Sequence, residues 1–98
     1  MADLARIVDV DVAEGRVLRV RFSDGLVREL DFAPSLVGLL AVIDEDAMFA
    51  AVEVDPVAGT VSWPAGVDFD PDVLRGDTPA AAALAPRLVR EYRVQHSA

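Results

Sequence analysis

The chain has 98 residues, 53% of them hydrophobic, which suits one domain with its own core and excludes a disordered segment. Seventeen acidic and nine basic residues leave a formal net charge of -8, which argues against direct DNA or RNA binding because the chain repels phosphates. Cysteine is absent, so disulfides, thiolate nucleophiles and Cys-ligated zinc are excluded.

All nine basic residues are arginine, and they form no basic stripe with interleaved aromatics. The first residues, MADLARIVDVDV, carry acids early and have no apolar h-region, unlike a signal peptide. No window approaches the run of about 18 apolar residues that crosses a bilayer. The expectation is a soluble, cytoplasmic protein with no membrane partner.

Residues 7 to 12, IVDVDV, alternate with period two, placing Val8, Val10 and Val12 on one face and Asp9 and Asp11 on the other. Arg16 to Phe22 alternates again, with Leu18, Val20 and Phe22 together. Leu26 to Phe32 puts Leu26, Leu30 and Phe32 on one face, with Arg28 intruding. The connections Ala13-Glu14-Gly15 and Ser23-Asp24-Gly25 suit three-residue hairpin loops ending in a left-handed glycine. At the second loop this register sets Phe22 against Leu26 and Leu18 against Leu30, whereas a two-residue Asp24-Gly25 turn would mix the faces. At the first it sets Val10 against Leu18 and Val8 against Val20, and predicts an Asp9–Arg19–Glu29 row on the outer face. Arg28 lands on the apolar face beside Val20, so either its stem snorkels to an edge or it pairs with a buried acid.

Pro34 and Ser35 break the third strand. Leu36 to Ile43 is apolar throughout and interrupted by Gly38, which predicts a buried turn or short helix. Asp44 is the expected N-cap of a helix whose Met48 and Phe49 face the core. Residues 51 to 55, AVEVD, and 60 to 63, TVSW, are predicted strands joined by Pro56-Val57-Ala58-Gly59. Asp70 before Pro71 reads as an N-cap followed by proline at the first helical position. From Gly76 onward the sequence reads as a linker plus a helix: Thr78-Pro79 suits the start of one short helix, and Pro86 breaks a long one unless a second segment begins near Ala85. Leu88 and Tyr92 then share a stripe at spacing four, able to pack on the domain or on another chain. The predicted fold is α+β: a small antiparallel sheet, built from a three-stranded N-terminal meander plus a C-terminal hairpin, with short helices and a helical C-terminal tail. Residues 1–75 form the single domain, and 76–98 the linker and tail.

No constellation for catalysis emerges. Asp68, Asp70 and Asp72 begin like a calcium loop, but Val73 stands where such a loop needs glycine and Pro79 where it needs glutamate. An extended segment with Val67 and Phe69 inward and acids outward explains the same spacing. His96 is the sole histidine, and there is no His or Cys pair for a transition metal, so no cofactor is expected. Trp63 either caps the core, the commoner use of a lone tryptophan, or anchors an interface. The residues singled out for interaction are Trp63, Asp68, Arg28, Leu88 and Tyr92.

The ordered set Leu18-x-Val20-x-Phe22-Ser23-Asp24-Gly25, Leu30-Asp31-Phe32, Met48-Phe49, Val52-x-Val54-Asp55 and Gly59-Thr60-Val61-x-Trp63-Pro64-x-Gly66-Val67-Asp68-x-Asp70-Pro71-Asp72-x-Leu74 resembles Domain of Unknown Function 2442, a family of small bacterial proteins. The segment from Trp63 to Pro71 is its most specific part, although Ala65 stands where the family usually shows Asn. The resemblance implies a small α+β domain with an antiparallel sheet and no established activity. It also implies a partner protein encoded nearby, hence an antitoxin-like or adaptor role. The leading expectation is thus a non-enzymatic acidic module that binds a protein or itself, homodimerisation included. The alternative is a small enzyme or ligand binder that uses Asp68, Asp70 or Arg28 near Trp63, which requires a pocket uniting them. A third reading, charge mimicry of nucleic acid, requires a one-sided acidic face.

Overall fold

The computed structural model describes residues 6–36, 38–64, 66–69, 71–76 and 86–94, the side chains of 38–40 excepted. Strands β1 (Ile7–Glu14), β2 (Val17–Phe22) and β3 (Leu26–Asp31) form the expected antiparallel meander. Helix α1 spans Asp46–Ala50, β4 (Glu53–Asp55) and β5 (Thr60–Ser62) form a separate hairpin, and α2 spans Pro71–Arg75. A final strand, β6 (Arg87–Arg93), pairs antiparallel with β3, so the main sheet runs β1-β2-β3-β6.

The β2–β3 register is the one that keeps apolar against apolar: Leu18 opposes Leu30 and Val20 opposes Arg28. Gly25 closes the loop at φ +91°, a conformation that costs a side-chain-bearing residue but not glycine. The β1–β2 hairpin differs from expectation. Glu14 opposes Val17 across a two-residue Gly15-Arg16 turn, and a bulge between Val12 and Glu14 then shifts the register so that Val12 faces Leu18 and Val10 faces Val20. A bulge between Ile7 and Asp9 then turns Ile7 into the core and leaves Val8 outside, 47% exposed. Val8 is therefore not on the inner face with Val10 and Val12.

The larger correction concerns the tail. Residues 87 to 93 are a strand, not a helix: docking on β3 pairs their backbone, sets Glu91 opposite Arg28 and Leu88 opposite Leu30, and gives the segment more partners than an isolated seven-residue helix could recruit. A bulge at Val89 reverses the alternation. Leu88 consequently lies on the Leu30 side and Tyr92 on the Val27 side, so they share no stripe. The expected helix start at Thr78-Pro79, the capping Asp70 and His96 lie outside the described residues.

The core fills the inner side of the sheet, where Leu18, Val20, Phe22, Leu30 and Phe32 meet Ile43, Phe49, Val61, Trp63 and Leu74. Each such side chain contributes about 1.5–3 kcal/mol on burial. The apolar run before α1 is a 3₁₀ segment, Gly38–Ile43, that buries Ile43 and leaves Val42 exposed. Asp44 does not cap α1. Glu45 holds the N-cap position without a side-chain bond, and the carboxylates on either side of it are held by the Arg16 guanidinium instead, Asp44 (Nε–Oδ1 2.9 Å) and Asp46 (Nη1–Oδ1 2.8 Å). Arg16 also lies over the Phe49 ring, 5.3 Å from its centroid, and so ties the β1–β2 turn to α1.

Candidate functional site

Trp63 is a core residue. It is 2% exposed, its ring lies 5.9 to 6.0 Å from those of Phe32, Phe49 and Phe69, and its indole N–H donates to the Phe49 carbonyl at 3.0 Å. The following residues turn back on it: the Gly66 N–H donates to the Trp63 carbonyl, and the Trp63 N–H to the Val67 carbonyl at 2.8 Å. Val67 and Phe69 then pack inward. The Thr60 hydroxyl donates to the Phe69 carbonyl, and Asp68, bridged to Ser62, is exposed. Asp68 therefore points away from the buried Trp63 rather than sharing a pocket with it.

Arg28 is 9% exposed. Its Nη1 donates to the Leu74 carbonyl at the end of α2, 2.6 Å away. Its Nε stands 2.9 Å from Glu91 Oε1, but off the N–H axis, so this is an ion contact rather than an aligned hydrogen bond. Gly76 admits the guanidinium: at φ +90°, a Cβ there would sit 2.8 Å from Nη1. The acid that meets Arg28 is Glu91, on a strand that was read as a helix, and it is exposed rather than buried, with a side chain 46% accessible. Arg28 stands apart from the Trp63 cluster and joins β3, β6 and α2.

A second arginine junction was also missed. Asp24, in the β2–β3 loop, accepts from Arg75 (Nη1–Oδ1 3.2 Å) and from the Leu26 N–H at 3.2 Å. Arg93 Nη1 donates to the Asp24 carbonyl at 2.9 Å and lies 3.5 Å from Oδ2. The Arg75 hydrogen bond first, then the Leu26 amide and the two nearby positive charges, hold the Asp24 carboxyl well below the usual carboxylate range against a smaller opposing effect of burial. Asp31 is held low by the Ala33 N–H and then by Arg87, 3.0 Å away.

The outer face of the sheet carries charges that alternate in sign from strand to strand. Asp11 on β1 meets Arg19 on β2 at 2.6 Å, Arg19 meets Glu29 on β3 at 3.3 Å, and Arg90 on β6 lies 3.9 Å from Glu29. The expected row forms with Asp11 in place of Asp9, which faces Arg21 instead. Four acids (Asp9, Asp11, Glu29, Asp31) and four arginines (Arg19, Arg21, Arg87, Arg90) share this face, so it is not one-sidedly acidic. Tyr92 sits opposite Val27, beneath the Arg90 guanidinium at 4.6 Å. Strand β6 ends the sheet order, and among the described residues no strand lies beyond it. Its Leu88 and Val89 are 45% and 50% exposed, and Val94 just past it is exposed too. Among the described residues no three His, Asp or Glu side chains converge as metal ligands, and no helix is long and apolar enough to cross a membrane.

The class these features define is a small α+β domain with one mixed-charge sheet whose last strand forms an open edge. The chain belongs to the family described as protein of unknown function (DUF2442), whose model matches residues 7–79. No curated protein and no solved structure matches it. The match covers the meander, the β4–β5 hairpin and α2, and ends before β6.

Proposed function

We propose that this chain is a non-enzymatic protein-interaction module, a small acidic cytoplasmic domain that binds another small protein in an antitoxin-like or adaptor role. The observation that supports this reading is the edge strand β6, with exposed Leu88 and Val89 beside main-chain groups that no described strand satisfies. The groups a small-molecule site would need are engaged elsewhere: Trp63 is sealed among aromatics, Arg28 holds the end of α2, and Asp68 faces outward. The test is co-expression of the tagged chain with the protein encoded beside it, followed by size-exclusion chromatography with light scattering. A stoichiometric complex is expected. Elution of the chain alone as a monomer, with no partner retained, would refute the proposal.

A further inference from the structure

We infer that β6 is the docking edge and that it takes an extended segment of a different polypeptide bearing carboxylates at alternate positions; this rests on the interaction reading above. Across the outer face, the row Asp11–Arg19–Glu29–Arg90 alternates acid and base and stops on an arginine. Beside it, Asp31 pairs with Arg87, which also ends at the edge. Continuing the sheet by one strand brings its outward side chains beside Arg87 and Arg90, so carboxylates there extend the pattern already built. Both guanidinium groups have capacity to spare, with side chains 68% and 63% exposed. The strand carries three arginines against one glutamate in a chain of net charge -8, so positive charge is concentrated where the sheet is open.

The same charges disfavour a second copy as the occupant. Two β6 strands paired about a two-fold axis would line up six arginines against two glutamates. The acidic β1 of another copy has the right sign, but that contact is head-to-tail and does not close. The start of β1 is also engaged by its own β4–β5 hairpin, where the Ile7 N–H donates to the Gly59 carbonyl at 3.0 Å and Arg6 reaches the Val57 carbonyl at 2.9 Å.

The experiment titrates the full chain into a labelled heptapeptide of alternating valine and aspartate at low salt, reading fluorescence anisotropy. A valine–arginine heptapeptide and two aspartate versions N-methylated on alternate amides run beside it. The aspartate peptide is expected to bind at least about tenfold more tightly than the arginine peptide. One N-methylation pattern abolishes binding and the other leaves it, as pairing along one strand edge requires. Arg87→Gln/Arg90→Gln removes the preference between peptides, and Arg90→Glu inverts it, with circular-dichroism melts confirming that both variants fold. Equal binding of the two peptides, identical behaviour of the variants, no binding at all, or light scattering that shows the free chain already self-associated through β6 would each overturn the inference. A native partner that co-purifies equally with wild type and Arg87→Gln/Arg90→Gln would sink this inference and leave the wider reading standing. Absence of any native partner beside a bound aspartate peptide would do the reverse.

Discussion

Replacing Trp63 with phenylalanine tests whether that residue belongs to the core or to an interface. The substitution removes the indole N–H that donates to the Phe49 carbonyl at 3.0 Å. That carbonyl keeps its contact from the Val52 N–H at 3.3 Å, so no acceptor is orphaned, and the lost bond costs about 1 kcal/mol. The smaller ring also vacates roughly 40 Å³ among Phe32, Phe49 and Phe69, which costs about 1 kcal/mol more if the site does not collapse. The sum, about 2 kcal/mol, lowers the melting temperature of a domain this size by about 8–15 °C. Because the variant has no tryptophan, unfolding is followed by far-UV circular dichroism. In the wild type, the same burial predicts a blue-shifted emission that acrylamide quenches poorly. A melting temperature within about 3 °C of wild type would refute the core assignment, since an exposed interface residue changes stability by under about 0.5 kcal/mol.

Three further outcomes follow from the arginine and glycine junctions. Gly25→Ala forces a side chain into a φ of +91° and puts its Cβ 2.8 Å from the Val94 carbonyl, so it is expected to lower stability by about 1–2 kcal/mol and to release β6 selectively, seen as faster proteolysis after residue 86. Arg28→Met removes the donor from the Leu74 carbonyl, and urea titration is expected to show a loss of about 2 kcal/mol. Asp24 titrates below its unfolded value, so the folded state binds fewer protons than the unfolded state. Its contribution is complete above about pH 5 and falls as pH drops through the ordinary carboxylate value of about 3.9 toward the lower folded one. Asp24→Asn is expected to flatten that acid limb of the stability curve only modestly, because the carboxylate is 38% exposed and partly screened. An unchanged acid limb would contradict the Arg75 contact.

How far the sequence carries is clearest in the two hairpins. At β2–β3, Leu18 and Leu30 stand out against Arg19 and Glu29, so a wrong register would bury charge, and the pairing is legible. At β1–β2, a slip of two residues exchanges valine for valine and aspartate for aspartate, leaving both faces chemically unchanged. The hydrophobic pattern therefore cannot choose between a three-residue loop and the Gly15-Arg16 turn. The tail fails for another reason. Leu88 and Tyr92 at spacing four suit a helix, and the bulge at Val89 erases the period-two signal that a strand would show. The fact that decides it, Glu91 lying opposite Arg28, links residues far apart in the chain and has no local signature. The intruding Arg28 was nevertheless the visible clue, because one of the two readings open to it, pairing with an acid, required a residue that the meander itself does not supply. The Trp63-to-Asp72 stretch identifies the family and the packing, while the open edge falls on residues beyond the family match, and part of its meaning lies in charges on three other strands.

Residue-resolved amide hydrogen exchange over Arg90 to Arg93 tests the edge strand most directly. In the free protein, amides directed at β3 are expected to be protected and the alternating ones to exchange as though open to water. Addition of the valine–aspartate heptapeptide is expected to slow the second set and leave the first unchanged. Uniformly fast exchange, or helical short-range contacts across Leu88 to Tyr92, would contradict a fourth strand with a free docking edge.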